Sequence, residues 1–108
     1  MCSKKQTGSS GGIPDVDLIV HAPARLAILS LLYISKVADF LFLERQTGLT
    51  RGNLSTHLTK LEAAGYIEIE KKFEGRMPRT LLHLTKAGSK ALRAYRKQMQ
   101  DTLRELPE

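Results

Sequence analysis

The 108-residue sequence contains no tryptophan, three phenylalanines, three tyrosines and a single cysteine. A core with so few aromatics has to be built mostly from Leu and Ile, and the length allows one domain and no more. Cys2 alone cannot close an internal disulfide, and it lacks a second thiol for a metal site. Long hydrophobic runs are missing too. The apolar stretch Leu26–Leu32 is far too short to span a bilayer. No signal-peptide or lipidation pattern appears, so a cytoplasmic protein without a membrane partner is expected. Acidic residues are scarce where basic ones are dense. From Arg45 to Lys97 there are twelve Lys and Arg against four Glu, a surplus of eight that exceeds the net +6 of the whole chain. Such a concentration suits a polyanionic partner.

The stretch from Asp39 to Gly65 organises the rest. Asp39 is placed to cap a first short helix through its carboxylate, and Phe40, Phe42 and Leu43 supply the apolar stripe. Thr47-Gly48 ends that helix, with Gly48 free to take a left-handed conformation. Leu49 plugs the turn and Thr50 caps a second helix, whose Leu54, Leu58 and Leu61 define one buried face. The opposite side carries Gly52, Thr56, Thr59, Lys60 and Ala63, flanked by Arg51 and Asn53. Small and hydrogen-bonding residues without bulk suit a helix entering a DNA major groove, which is about 12 Å wide. This is a helix-turn-helix pattern.

Around it, residues 1–12 form a Gly- and Ser-rich tail expected to be disordered, and the domain is expected over residues 13–108. A short amphipathic piece from Ile13 to Val20, with Asp15 as a candidate cap, precedes Pro23, which suits a helical first turn. A helix over residues 24–33 presents Leu26, Ile28, Leu29, Leu32 and Tyr33 to the core, with Arg25 at the rim, and residues 35–38 form a link. After Gly65, Tyr66-Ile67-Glu68-Ile69-Glu70 alternates as a half-buried strand does. Residues 74–79 read as a turn and residues 80–84 as a returning strand. Thr85 caps a last helix over about residues 86–106. Gly88 is a mild weakness there, about 1 kcal/mol relative to Ala. Leu92, Tyr95, Met99, Leu103 and Leu106 follow coiled-coil-like spacings of three and four. That seam either packs on the helix after Pro23 or joins two copies, and a dimer contact is the expectation.

Helix, helix-turn-helix, hairpin and long helix in this order resemble winged-helix transcriptional regulators, in the small branch near the multiple-antibiotic-resistance and arsenic-repressor types. The residues carrying the resemblance are LTRGNLSTHLTKLEAAGYIEIEKKFEGRMPRTLLHLTKAG, with the preceding PARLAILSLL and DFLFLERQTG. The resemblance implies an α+β, mostly helical fold: a winged helix-turn-helix with a two-stranded wing and a long C-terminal helix. It also implies a homodimer on two-fold double-stranded DNA, with half-sites about 34 Å apart. Carried over by position, Arg51, Asn53, Thr56 and Lys60 are the base-reading set. Arg can bond guanine and Asn adenine through paired contacts, while Lys60 suits a phosphate. Thr50 is either a phosphate contact or a cap alone. In the wing, Arg76 and Arg79 flank Pro78, one for the minor groove and one for the backbone. Lys71 and Lys72 point to opposite faces, so at most one reaches DNA, and Lys72 is the candidate.

Other chemistries find little support. His21, His57 and His83 have no metal-motif spacing, and the cysteine clusters of arsenic-type sensors are absent. No phosphate loop, nucleophile elbow or paired carboxylates suggest catalysis, so neither an enzyme nor a cofactor is expected. A protein-interaction or architectural module without specific DNA recognition is the alternative. The absence of acids on the reading helix before Glu62 weighs against it. An unidentified small-molecule effector between the first helix and the dimer seam is compatible with the regulator reading.

Overall fold

A computed structural model describes residues 17–107. The expected tail, and the candidate cap Asp15, lie outside those residues. Four helices and three strands follow in the order α1 (Pro23–Ser35), β1 (Val37–Asp39), α2 (Phe40–Thr47), α3 (Arg51–Ala63), β2 (Ile67–Glu74), β3 (Met77–Leu84) and α4 (Lys86–Arg104). The mostly helical α+β class expected from the sequence is therefore observed. The local signals act as their chemistry suggests. Asp39 Oδ1 accepts from the Phe42 amide at 2.7 Å, Gly48 closes α2 with φ of 72°, and the Thr50 and Thr85 hydroxyls accept from the amides of Asn53 and Gly88. Caps of this kind contribute about 1 kcal/mol each. Before α1, the Asp17 carboxylate caps a turn by accepting from the amides of Ile19 and Val20.

Three details differ from the sequence reading. The link at residues 35–38 contains most of a third strand: β1 pairs antiparallel with β3, Val37 opposite His83 and Asp39 opposite Leu81, giving the sheet order β1-β3-β2. Three residues are too few to display a period, and only pairing reveals them. The turn expected over residues 74–79 shrinks to Gly75-Arg76, because Glu74 already pairs with Met77 and Phe73 with Pro78. Gly75, with φ of 64°, stands at the first central position of a two-residue hairpin loop, where a positive φ matches the strand twist. Pro78 is tolerated inside β3 because β1 ends short of it, leaving that edge free of ladder bonds. Finally, Gly88 is no incidental weakness. A Cβ there would stand 2.2 Å from the Tyr66 carbonyl oxygen, so only glycine lets α4 cross the start of β2 this closely.

The core is one cluster. Ile28, Leu29 and Leu32 of α1 meet Leu43 of α2, Leu54 and Leu61 of α3, Ile67 of β2 and Leu82 of β3, all fully buried. Each contributes about 1.5–3 kcal/mol by burial. Because α3 spends all of its apolar face on this cluster, its other face is left to solvent.

Candidate nucleic-acid interface

Arg51, Asn53, Thr56 and Lys60 are all exposed on that outer face, together with Gly52, Ser55 and Thr59. The helix backbone consumes part of their chemistry. Thr56 Oγ1 donates to the Gly52 carbonyl at 3.0 Å and Thr59 Oγ1 to the Ser55 carbonyl at 2.9 Å. With its proton committed, the Thr56 hydroxyl can offer only lone pairs, which fit the amino groups of adenine or cytosine, while its methyl stays free for thymine. The Arg51 guanidinium sits 5.2 Å from the centre of the Phe40 ring. This contact, on the order of 0.5–1 kcal/mol at an exposed site, restrains a long side chain at the first turn of α3. Phe40 was missed by the sequence reading, and no local pattern in the sequence could have paired it with Arg51.

A groove of about 550 Å³ separates α3 from the hairpin. Arg51, Ser55 and Thr59 line one wall, and Lys71, Met77 and Thr80 line the other, with Phe40 between them. Lys71, rather than Lys72, faces this groove. It continues the inward alternation of Ile67 and Ile69, a signal already present in the sequence. Lys72 stands on the other face of the strand. Arg76 occupies the exposed tip of the hairpin. Arg79 is held fast: it donates to Glu74 Oε1 at 2.6 Å and to Asp39 Oδ2 at 2.7 Å. Asp39 thus caps α2 with one oxygen and anchors the hairpin with the other, tying the wing to the helix-turn-helix. Glu74 and, after it, Asp39 raise the Arg79 pKa further above its ordinary value.

The seam of α4 is divided. Tyr95 is buried in the core of the chain itself, where its hydroxyl meets His21 Nδ1 at 2.6 Å. Leu92 and Met99 pack half-buried against the same core. Leu103 and Leu106 remain 57% and 63% exposed, and Leu106 lies just past the helix end.

The three histidines are separately engaged. His57 Nδ1 accepts from Arg25, 3.3 Å away, which makes it the neutral acceptor. Burial, then Arg25 and Lys60, lowers its pKa. Arg25 also donates to the Ile19 carbonyl at 2.7 Å and so joins the N-terminal turn to α1 and α3. His83 Nε2 lies 2.9 Å from Glu70 Oε1. Among the described residues no group of three or more His, Cys, Asp or Glu could hold a metal ion, and no helix is long and apolar enough to cross a membrane.

A bare polar helix beside a basic hairpin, both anchored to one small core, is the arrangement that the family comparison identifies. Residues 24–103 match the model of the winged helix DNA-binding domain. The chain belongs to that family. An uncharacterized protein of Methanocaldococcus jannaschii, MJ0432, is 37% identical over 78 residues, covering 71% of this chain and 84% of that one. A transcriptional regulator homologue from Pyrococcus horikoshii OT3 superposes with a TM-score of 0.77 at 27% identity, covering 82% of this chain and 90% of its own. NadR, solved in complex with 4-hydroxyphenylacetate, has a TM-score of 0.62 at 27% identity, covering 82% and 67%. Family and fold together point to a DNA-binding transcriptional regulator rather than an enzyme. In winged-helix terms the β2–β3 hairpin is the wing.

Proposed function

We propose that this winged-helix protein is a sequence-specific regulator that binds double-stranded DNA as a homodimer, with α3 in the major groove and the wing on the minor groove and backbone. The observation carrying this reading is the division of α3. Its apolar face is entirely spent on the core, and its outer face offers Arg51, Asn53 and Thr56 without an acid before Glu62. In this assignment Arg51 and Asn53 read base edges, Thr56 adds an acceptor or a methyl contact, and Thr50 and Lys60 meet phosphates. Arg76 reaches into the minor groove, Lys71, on the groove face of the strand, takes the backbone contact expected of Lys72, and Arg79 orients the wing while presenting its remaining donors. Leu103 and Leu106 extend the hydrophobic seam beyond the subunit's own core and join it to a second copy, with Leu92 and Met99 at its margin. Tyr95, buried within its own subunit, supports the seam from below.

Selection from random duplexes by the purified protein tests the reading. A two-fold motif with half-sites one helical turn apart is expected. Arg51→Ala should relax preference at one position of each half-site by about 1–3 kcal/mol, with little effect elsewhere in the motif. Recovery of no motif, or a motif insensitive to Arg51→Ala, would remove α3 as the reader. Leu103→Glu with Leu106→Glu should yield monomers by sedimentation. A surviving dimer would move the interface elsewhere. NadR's complex with a small aromatic acid supports an effector for this chain as well. The site suggested is between the subunits, because the groove beside α3 is open and is claimed by DNA.

A further inference from the structure

Of the twelve basic residues between Arg45 and Lys97, five lie on α4: Lys86, Lys90, Arg93, Arg96 and Lys97. They belong neither to α3 nor to the wing, so five of the twelve basic residues have no part in the interface described above. At 3.6 residues per turn, Lys86, Lys90, Arg93 and Lys97 fall within an arc of about 60°. That arc is directly opposite the side on which Gly88 and Tyr95 pack. All four are exposed, and only Lys97 has an ion-pair partner among the described residues, Asp101 at 3.3 Å. Arg96 stands beside the stripe, exposed and also without a described ion pair.

This placement is unfavourable for an isolated helix. Cations three and four residues apart repel one another, and Lys86 and Lys90 sit near the positive end of the helix dipole, where acids are favoured. The first turn contains no acid, and the first acid in the helix is Asp101. A polyanion would reverse every one of these terms. Its spacing also fits: the stripe from Lys86 to Lys97 is roughly 16 Å long, and one DNA strand presents about five phosphates over that axial length.

We propose that the outer face of α4 is a second DNA-contacting surface. It takes the phosphate backbone of duplex DNA without regard to sequence, and it acts in addition to recognition by α3. The inference rests on the DNA-binding reading above. It adds that a large share of the affinity, though none of the specificity, comes from α4.

The test is the salt dependence of affinity for the selected duplex and for random duplexes, compared between the wild-type protein and the combined variant Lys86→Gln, Lys90→Gln, Arg93→Gln and Lys97→Gln. The slope of log affinity against log salt should become shallower by about 2–4 for the four substitutions, with the ratio of specific to random binding kept within about twofold. The thermal midpoint should not fall, since the substitutions relieve repulsion. If the fourfold variant nevertheless fails to fold, Lys90→Gln with Arg93→Gln alone should reduce the slope by about 1–2. A wild-type protein that finds a motif, with an unchanged slope in the variants, overturns the proposal and leaves the regulator reading standing. An unchanged slope with loss of the dimer also overturns it, and reassigns the stripe to acidic groups of a second copy. A shallower slope without any motif sustains the α4 surface and overturns sequence-specific reading. No affinity of the wild-type protein for any duplex overturns both.

Discussion

Helices α3 and α4 look alike as sequence, each with an apolar stripe and a polar remainder, but the structure uses them differently. In α3 the stripe is consumed within the chain's own core: Leu54 and Leu61 are fully buried and Leu58 nearly so. In α4 the stripe begins inside the core with Tyr95 and ends in solvent with Leu103 and Leu106. A recurring apolar spacing thus identifies a face that wants cover, without saying which molecule supplies it. The test of this contrast with the largest effect is a matched pair of truncations. Leu61→Ala empties a fully buried site and should cost about 2–5 kcal/mol. Leu103→Ala, at the exposed end of α4, should change the stability of the isolated subunit by no more than about 0.5 kcal/mol. Chemical denaturation at a concentration low enough to keep the chain monomeric measures both. Equal losses would mean that the end of α4 is covered within one chain.

The glycines of the two helices sharpen the comparison. Gly88 has the Tyr66 carbonyl against it, whereas Gly52 has nothing within 4 Å of where a Cβ would stand. Gly88→Ala forces backbone apart and should cost about 1–3 kcal/mol. Gly52→Ala should instead stabilise the fold by about 1 kcal/mol, as expected for an exposed helical glycine. If Gly52 leaves room for DNA, the same substitution should weaken operator binding. Thermal melting and DNA titration of the two variants separate a glycine required by the fold from one required by the partner. A Gly52→Ala protein with improved stability and undiminished affinity would show that this turn of α3 stands clear of DNA.

What the sequence disclosed follows from the range of the forces involved. Asp39, Gly48, Thr50 and Thr85 act within four residues of themselves, so their roles as caps and stops were legible, as was the buried face of Leu54, Leu58 and Leu61. The contacts that went unseen are long-range. Gly88 is dictated by Tyr66, Arg51 is steadied by Phe40, and Arg79 is bound by Asp39, forty residues earlier. Pro78 misled because proline favours turns as well as unpaired strand edges, and the sequence does not show where β1 stops. For the interface, exposure of the α3 face could be inferred from its buried counterpart. The choice of Lys71 for the groove required following the strand alternation two residues further than the apolar pattern runs.

The smallest effect concerns the short segment before α1, where Val20 is buried in the core and side-chain hydrogen bonds fasten the rest. The Tyr66 hydroxyl donates to the Asp17 carboxylate. Burial, and then this bond and the charge of Asp17, push the Tyr66 pKa up to about 12. The folded protein therefore holds the phenolic proton more tightly than the unfolded chain, where the pKa is about 10. The resulting stabilisation is complete below pH 10 and is lost as the pH rises through 12. Solvent around the pair limits its size to about 1 kcal/mol or less. Tyr66→Phe should remove the difference, leaving a protein slightly less stable at neutral pH but with a flatter decline between pH 10 and 12. Denaturation midpoints of the two proteins across that window provide the measurement. Parallel curves would mean that Asp17 does not hold Tyr66 in solution, and that the N-terminal turn is held by Val20 in the core, by Arg25 and by the His21–Tyr95 contact instead.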